Sequence, residues 1–339
     1  MVKKGIMVVW SFLIIFVGIA HSGPNEPAQI YEKAKKEGKV TWASTLREKE
    51  AMPLVKAFQK DYPEIKVTYH REHGGEAMER LVREVISGRI NYDVAQIHED
   101  YMQEFMKMDA VEQVDWSDFN VVPQFIHFDN RFVGVFDYPY VFVFNYNLLK
   151  KEEAPRTWND FLDPKWKGKF CVDSRPLALF ALAGAWGPEK TLDYIRELGK
   201  NKPIFVRGST KNANLMAAGD YMINATCYLS SGIFIKDKGG PLDWNFPDTI
   251  PTSWADFSVL KGAKNPNAGK LFLGWLGSKG YKRMDDINWG RSAPFGGTRK
   301  EKYYKGKTLS YPPTKAQVPD RNTFLTEILT ALGLRKSKN

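Results

Sequence analysis

Cysteine is scarce in this chain: 339 residues carry two, Cys171 and Cys227. Their spacing fits no metal signature, which excludes a thiolate metal centre. An oxidising compartment would permit a disulfide between them. Two buried thiols, each in a strand-like run, fit equally well. The motifs of catalysis are missing too. There is no G-x-S-x-G, no H-E-x-x-H, no Walker loop, and no G-x-G-x-x-G after a strand. An enzyme needs a nucleophile with its base, paired carboxylates or a cofactor loop, so the chain reads as a non-enzyme without a cofactor. The one hydrolytic alternative is Cys227 as nucleophile with His98 as base, and nothing in the sequence places them together. No dense Lys/Arg block carries interleaved aromatics, which excludes nucleic acid as a partner. Internal repeats and low-complexity tracts are absent as well. The longest apolar run, Ile6–Ala20, falls short of the roughly 20 residues that span a bilayer.

That run has a different use. Lys3 and Lys4 precede it, and the small residues Gly18, Ala20 and Ser22 follow, ahead of a polar, proline-containing stretch. A basic start, a short apolar stretch and a small-x-small site form a secretory signal peptide over residues 1–22, cleaved near Ser22. The mature chain is therefore expected in the periplasm. About 317 residues then remain, too many for one ordinary core and suited to two lobes. Hydrophobic content of 43% and aromatic content of 14% give a chain that packs rather than a disordered one. The formal net charge of +10 suggests an anionic ligand or surface. Much of the excess sits in Arg299, Lys300, Lys302, Lys305, Lys307, Arg335, Lys336 and Lys338, which read as a solvated tail.

Short apolar runs alternate with amphipathic stretches, the pattern of an α/β fold. Lys39–Ala43, Ile65–His70 and Tyr92–Ile97 read as strands, and helical spacing runs through Glu50–Tyr62 and on from Gly74-Gly75. Three βα units in a row imply a parallel sheet with its loops gathered at the strands' carboxyl ends. A second set has strands at Lys169–Val172, Pro203–Val206 and Tyr221–Ala225, with helices near Ala178–Trp186, Lys190–Leu198 and Asn212–Ala218. Between the sets, about 138–147 and 251–257 read as hinge strands. Lobe 1 is expected to comprise 23–137 and 258–339, and lobe 2 to comprise 148–250.

Particular stretches sharpen this. Asp93-Val94 ends a strand, Pro139-Tyr140 leads to Asn145-Tyr146-Asn147, and Ala154-Pro155-Arg156-Thr157-Trp158 precedes Asp163-Pro164-Lys165-Trp166-Lys167-Gly168-Lys169. Ala218-Gly219-Asp220-Tyr221 and Leu260–Ala268 follow. Together these resemble the bacterial extracellular solute-binding proteins of the ferric-iron importer type over most of residues 38–285. The resemblance implies a two-lobed periplasmic binding protein fold of type 2 topology with a doubly crossed hinge. It also implies an inner-membrane ABC permease as partner, and a monomer is expected. The Pro-x-Thr-Trp and Asp-Pro-Lys-Trp-Lys-Gly pair identifies the architecture rather than the ligand.

In such a fold a small-molecule ligand sits between lobes, touched by strand-end loops and helix N-termini. The first lobe offers Ser44, Thr45 and Arg47 after its first strand, Gly74 and Gly75 at a helix start, and His98 and Glu99 after the third strand. Tyr146 ends the strand taken as a crossing. The second lobe offers Asp173, Ser174 and Arg175, then Gly208, Ser209 and Thr210 with Lys211, then Cys227 and Tyr228. Capping would also explain Ser44, Thr45, Ser209 and Thr210, and surface ion pairs would also explain the arginines.

Ferric binders of the resembled type use two adjacent tyrosines, often with a His and a Glu. Near 226–230 this chain has one tyrosine, Tyr228. Arg47 stands near the family's His, and a guanidinium cannot ligate a metal. Tyr303-Tyr304 is adjacent but expected on the tail's surface. His70, Glu72, His73 and Glu76 cluster without matching a known metal site. Arg47, Arg175, Lys211 and the hydroxyls suit a carboxylate, phosphate or phosphonate. A small organic anion is therefore expected, with ferric iron or another metal as the alternative and no metal ligand set assigned.

Overall fold

The computed structural model describes residues 26–72 and 75–335. The expected secretory leader and Gly74 lie outside them, as does His73 of the His/Glu cluster. The chain begins with α1 (Glu26–Glu37), β1 (Lys39–Ser44), α2 (Glu48–Asp61), β2 (Lys66–Arg71), α3 (Gly75–Ser87), β3 (Val94–Ile97) and α4 (Glu99–Lys107). Two further strands follow, β4 (Ile126–His127) and β5 (Phe132–Asp137). Next come β6 (Tyr140–Asn145), β7 (Phe170–Asp173), α5 (Leu177–Trp186), α6 (Pro188–Lys200), β8 (Ile204–Val206), α7 (Ser209–Ala218), β9 (Ile223–Tyr228) and α8 (Leu229–Lys236). The strands β10 (Leu242–Asn245), β11 (Thr249–Pro251) and β12 (Trp254–Val259) precede α9 (Pro266–Trp275) and α10 (Tyr281–Asn288). The chain finishes with α11 (Glu301–Tyr304), β13 (Thr308–Ser310) and α12 (Arg321–Ala331).

Among the described residues two mixed sheets result, with a two-stranded parallel sheet, β11-β13, as a third. The first runs β2-β1-β3-β12-β5-β4, with β1 parallel to β2 and β3 and with β12 antiparallel to both β3 and β5. The second runs β10-β6-β9-β7-β8, with β7 parallel to β8 and β9 and with β6 antiparallel to β9. Inner strands such as β5, β6 and β7 are buried throughout. That is why they read as continuous apolar runs, since each is covered on both faces.

Each sheet has its own aromatic core. Trp42 packs 5.1 Å from Phe272 in the first, and Phe142 packs 5.0 Å from Trp158 and 4.9 Å from Phe161 in the second. All five are essentially buried, each stabilising the fold by about 1.5–3 kcal/mol through area removed from water. The motif shared with the resembled class acts here. Thr157 caps the turn carrying Trp158, and Trp158 Nε1 donates to the Thr249 carbonyl at 2.7 Å, close to the second crossing.

The structure departs from the expected organisation in three places. The run Pro139–Tyr146 is largely β6, an interior strand of the second sheet, so the first crossing shrinks to Tyr138-Pro139 and the second to Thr252-Ser253. The chain then crosses a third time. β13 pairs with β11 in parallel, Thr249 opposite Thr308, and Phe324, Ile328 and Leu332 join the second core beside Phe180. The segment from Thr308 onward therefore packs with the second sheet, not with lobe 1 as expected. Apolar spacing announced that this helix buries a face and could not say against which sheet. The tail is not uniformly solvated either, because Lys300 and Tyr304 are buried at the crossings. Cys171 and Cys227 are both buried and unbridged. No helix among the described residues is long and apolar enough to cross a membrane.

Candidate functional site

Parallel strands of both sheets end at one cleft. Thr45, Arg71 and His98 follow or close β1, β2 and β3, while Arg175, Gly208 and Tyr228 follow or close β7, β8 and β9. All six residues line a cavity of about 760 Å³. This is where a doubly wound sheet gathers its ligand contacts.

The floor on the first-lobe side is a hydrogen-bonded frame. Gln96 Oε1 accepts from the Thr45 amide at 3.0 Å, from Thr45 Oγ1 at 3.0 Å and from Ser44 Oγ at 3.3 Å. Thr45 Oγ1 also lies 3.0 Å from the Tyr138 hydroxyl. Neither Ser44 nor Thr45 caps a helix, since Arg47 is the N-cap of α2. In the second lobe, Ser209 Oγ accepts from the Tyr228 amide at 2.8 Å, and Gly208 is the N-cap of α7. Gly208 and Tyr228, at the starts of α7 and α8, supply no side-chain cap. Their first-turn N–H groups are thus uncapped by those side chains, and such groups suit an anion.

Six basic side chains line the cavity: Arg47, Arg71, Arg175, Lys211, Arg291 and Arg321. Among the described residues, Glu99 is the one carboxylate in the lining. Arg47 bridges the cleft. It pairs with Glu50 at 3.2 Å in its own lobe, donates to Thr210 Oγ1 at 3.4 Å in the other, and lies 4.1 Å over the Phe234 ring. Arg175 is held by Asp173 through two bonds, Nε to Oδ1 at 3.1 Å and Nη2 to Oδ2 at 2.7 Å. Those bonds, opposed by burial, raise its pKa. Arg321 at the start of α12 meets Glu99 at 3.2 Å, a second contact across the cleft. Burial alone would raise the Glu50 pKa. Arg291, the Arg47 amide and Asn288 outweigh that and hold its carboxyl below the usual range.

Tyr228 has a partner that adjacency in sequence could not reveal. Tyr140 stacks on it with ring centroids 4.3 Å apart and donates its hydroxyl to the Tyr228 oxygen at 2.6 Å. Antiparallel pairing sets Tyr140 opposite Tyr228. Burial, above all, raises the pKa of both phenols. Among the described residues no group of three or more His, Cys, Asp or Glu is arranged to hold a metal. Glu72 of the His/Glu cluster is spent on Arg80 and on the Tyr92 hydroxyl.

Several expected residues do not reach the cavity lining. Tyr146 is half exposed in the turn after β6, because β6 runs against its neighbour β9 and its carboxyl end points away from the cleft. Ser44 and Asp173 are buried behind Thr45 and Arg175, where they position rather than touch. Ser174 is tied by its amide to the Val206 carbonyl, and Gly75 opens α3 away from the lining. Cys227 is fully buried against Ser209, and burial pushes its thiol up to about 12. That burial disfavours the thiolate, the form in which a cysteine attacks. Tyr303 lies on the surface, stacked on Phe246, while Tyr304 is buried on Asp137; neither lines the cleft.

The sequence did not single out Arg71, Tyr138, Ser253, Trp254, Arg291 or Arg321 as contacts, yet all line the cavity. Arg71 had a signal, its place at a strand's carboxyl end. Arg291 and Arg321 had none: Arg291 lies in a short turn after α10 with no strand before it, and the segment carrying Arg321 returns to the cleft only through the third crossing.

Two sheets joined by short crossings around one polar, cationic cleft define a two-lobed periplasmic solute-binding protein. Residues 42–283 match the bacterial extracellular solute-binding protein family, and the chain belongs to it. Members of this family bind solutes outside the cytoplasm. A relative from Salmonella typhi, named provisionally as a 2-aminoethylphosphonate-binding periplasmic protein, is 22% identical over 192 residues, 53% of this chain and 56% of its own length. The chain spans 39% and 56% of the curated relatives it matches. An ABC-transporter substrate-binding protein from Agrobacterium tumefaciens superposes with a TM-score of 0.70 at 18% identity, over 87% of this chain and 94% of the other. Iron-bound HitA from Pseudomonas aeruginosa superposes at 0.63 and 17% identity, over 87% and 97%. These two likenesses concern the fold.

Proposed function

We propose that the chain captures a small organic anion between its lobes and passes it, unchanged, to the permease. The observation that supports this most is the charge of the cleft, in which six basic side chains face one carboxylate, itself paired with Arg321. Thr45, Arg47, His98, Glu99, Arg175, Gly208, Ser209, Thr210 and Tyr228 line the cleft. Hydroxyls and uncapped helix starts add donors without adding acceptor charge. The likeness to a relative named for a phosphonate points the same way.

One observation favours iron instead. Tyr140 and Tyr228 bring two phenol oxygens within 2.6 Å of one another, and a ferric ion would draw off their protons. Against it, the Tyr140 hydroxyl is spent on Tyr228 and the surrounding guanidinium groups repel a cation. Calorimetry with 2-aminoethylphosphonate, sugar phosphates, carboxylates and Fe³⁺ separates the readings. Saturable heat from an oxyanion and no visible tyrosinate band with Fe³⁺ are expected. A strong band abolished by Tyr228→Phe would overturn the anion reading.

A further inference from the structure

Arg291 sits in a short turn, Trp289–Arg291, directly after α10 of the first lobe. It lines the cleft with its side chain 11% exposed. We propose that Arg291 is the principal anchor for the ligand's acidic group, which presents two coplanar oxygens to its guanidinium. The inference rests on the organic-anion reading and names the residue that carries it.

Three of the other four cleft arginines are engaged elsewhere, and the fourth, Arg71, is exposed. Arg175 is forked onto Asp173, Arg47 is shared between Glu50 and Thr210, and Arg321 meets Glu99. Arg291 differs. Its Nε and Nη1 are buried without a hydrogen-bond partner, a costly state for a charged donor. Its one carboxylate neighbour, Glu50, lies 3.5 Å from Nε. That carboxylate already accepts from Arg47 Nη1 at 3.2 Å, the Arg47 amide at 3.0 Å and Asn288 Nδ2 at 2.8 Å. One negative charge thus faces two guanidinium groups, and an anion in the cleft completes the balance. With Nε turned to Glu50, the Nη1/Nη2 edge is the one through which a carboxylate, phosphate or phosphonate would form paired bonds.

The mounting is rigid. The guanidinium lies 4.8 Å over the Tyr138 ring, whose hydroxyl is fixed by Thr45. Asn288 accepts from the Gly290 amide at 3.2 Å, and the Gly290 carbonyl accepts from buried Lys300 at 3.2 Å. A Cβ at Gly290 would stand 2.9 Å from the Ser230 backbone, so the turn presses on the start of α8 in the opposite lobe. An anion held here would touch the hinge side of both lobes at once. Tyr138 and Glu50 act as positioning residues.

The test is calorimetry on the full mature chain with 2-aminoethylphosphonate, glycerol 3-phosphate, inorganic phosphate and succinate as probes. Arg291→Gln should weaken whichever probe binds the parent by roughly 30-fold to several-thousand-fold. Arg291→Lys keeps the charge beside Glu50, so thermal unfolding should stay near the parent's, yet affinity should still fall by about tenfold or more because a point charge cannot replace the fork. Arg299→Ala, on the far surface, should bind as the parent does. If a probe binds the parent and both Arg291 variants alike, the anchor is refuted while the anion reading stands. If no probe binds the parent, the anion reading falls and the anchor falls with it.

Discussion

Lys300 Nζ lies 3.3 Å from Asp137 Oδ2, and both side chains are fully shielded from solvent. Asp137 ends β5 at the first crossing. Thr252 at the second crossing donates to its carboxylate, and Tyr304, just beyond the third, donates to it at 2.6 Å. One carboxylate thus ties together all three passages between the sheets. Burial draws the Lys300 pKa down to about 8, with Asp137 opposing. Lys300→Met would strand the carboxylate, and breaking a buried pair from one side costs about 3–5 kcal/mol. Asp137→Asn combined with Lys300→Met should recover most of that loss. Urea unfolding followed by tryptophan fluorescence measures both. A Lys300→Met protein as stable as the parent would contradict the account.

His127 Nδ1 lies 2.5 Å from Asp256 Oδ1 at the sheet edge. Burial alone would lower the imidazole pKa from its usual 6.5, but the Asp256 bond and charge outweigh it, so the net shift is upward. A raised folded-state pKa contributes stability that is fully present below about pH 6.5 and is lost as pH rises through the folded value. The stability advantage of the parent over His127→Gln should therefore shrink as the pH is raised from below to above about 6.5. Melting curves across that range check it, and a constant or growing advantage would refute the pairing.

Gly184 in α5 has no room for a side chain. A Cβ there would stand 1.9 Å from the Tyr311 carbonyl oxygen, where the chain leaves β13 against the second core. Gly184→Ala should cost at least about 1–3 kcal/mol, the usual range for overpacking. Proteolysis should then cut first between Thr308 and Arg321, as β13 lifts. An unaltered cleavage pattern and midpoint would show that the final segment does not dock as described.

The cross-cleft contacts Arg47–Thr210 and Arg321–Glu99 hold the lobes together. Each is worth only about 1 kcal/mol, so the double variant Arg47→Ala/Arg321→Ala should favour a more open chain, with the dihedral change concentrated near Tyr138 and Ser253. Small-angle scattering of the ligand-free protein should report a larger radius of gyration for the double variant. Identical profiles would argue against both clasps.

Much of this was legible because parallel βα units announce where their loops gather. Thr45, Arg47, His98, Arg175, Gly208 and Tyr228 follow from that rule alone. It misplaced Tyr146, because an antiparallel strand such as β6 inverts the rule and an apolar run carries no direction. It also missed Tyr140, which meets Tyr228 only through sheet pairing. Arg291 and Arg321 were invisible for a different reason. Local patterns fix which face of a segment is buried, whereas the place of Arg291 depends on Lys300 finding Asp137 and the Gly290 carbonyl, and the return of Arg321 depends on β13 finding β11. Those are long-range pairings with no local signature.

The central claim is that an organic oxyanion occupies the cleft. Native mass spectrometry of protein purified without unfolding from the periplasm addresses it directly. The account predicts a bound small organic acid, released by mild denaturation and absent from the Arg291→Gln protein. A bound iron atom that survives in Arg291→Gln and disappears in Tyr228→Phe would contradict it.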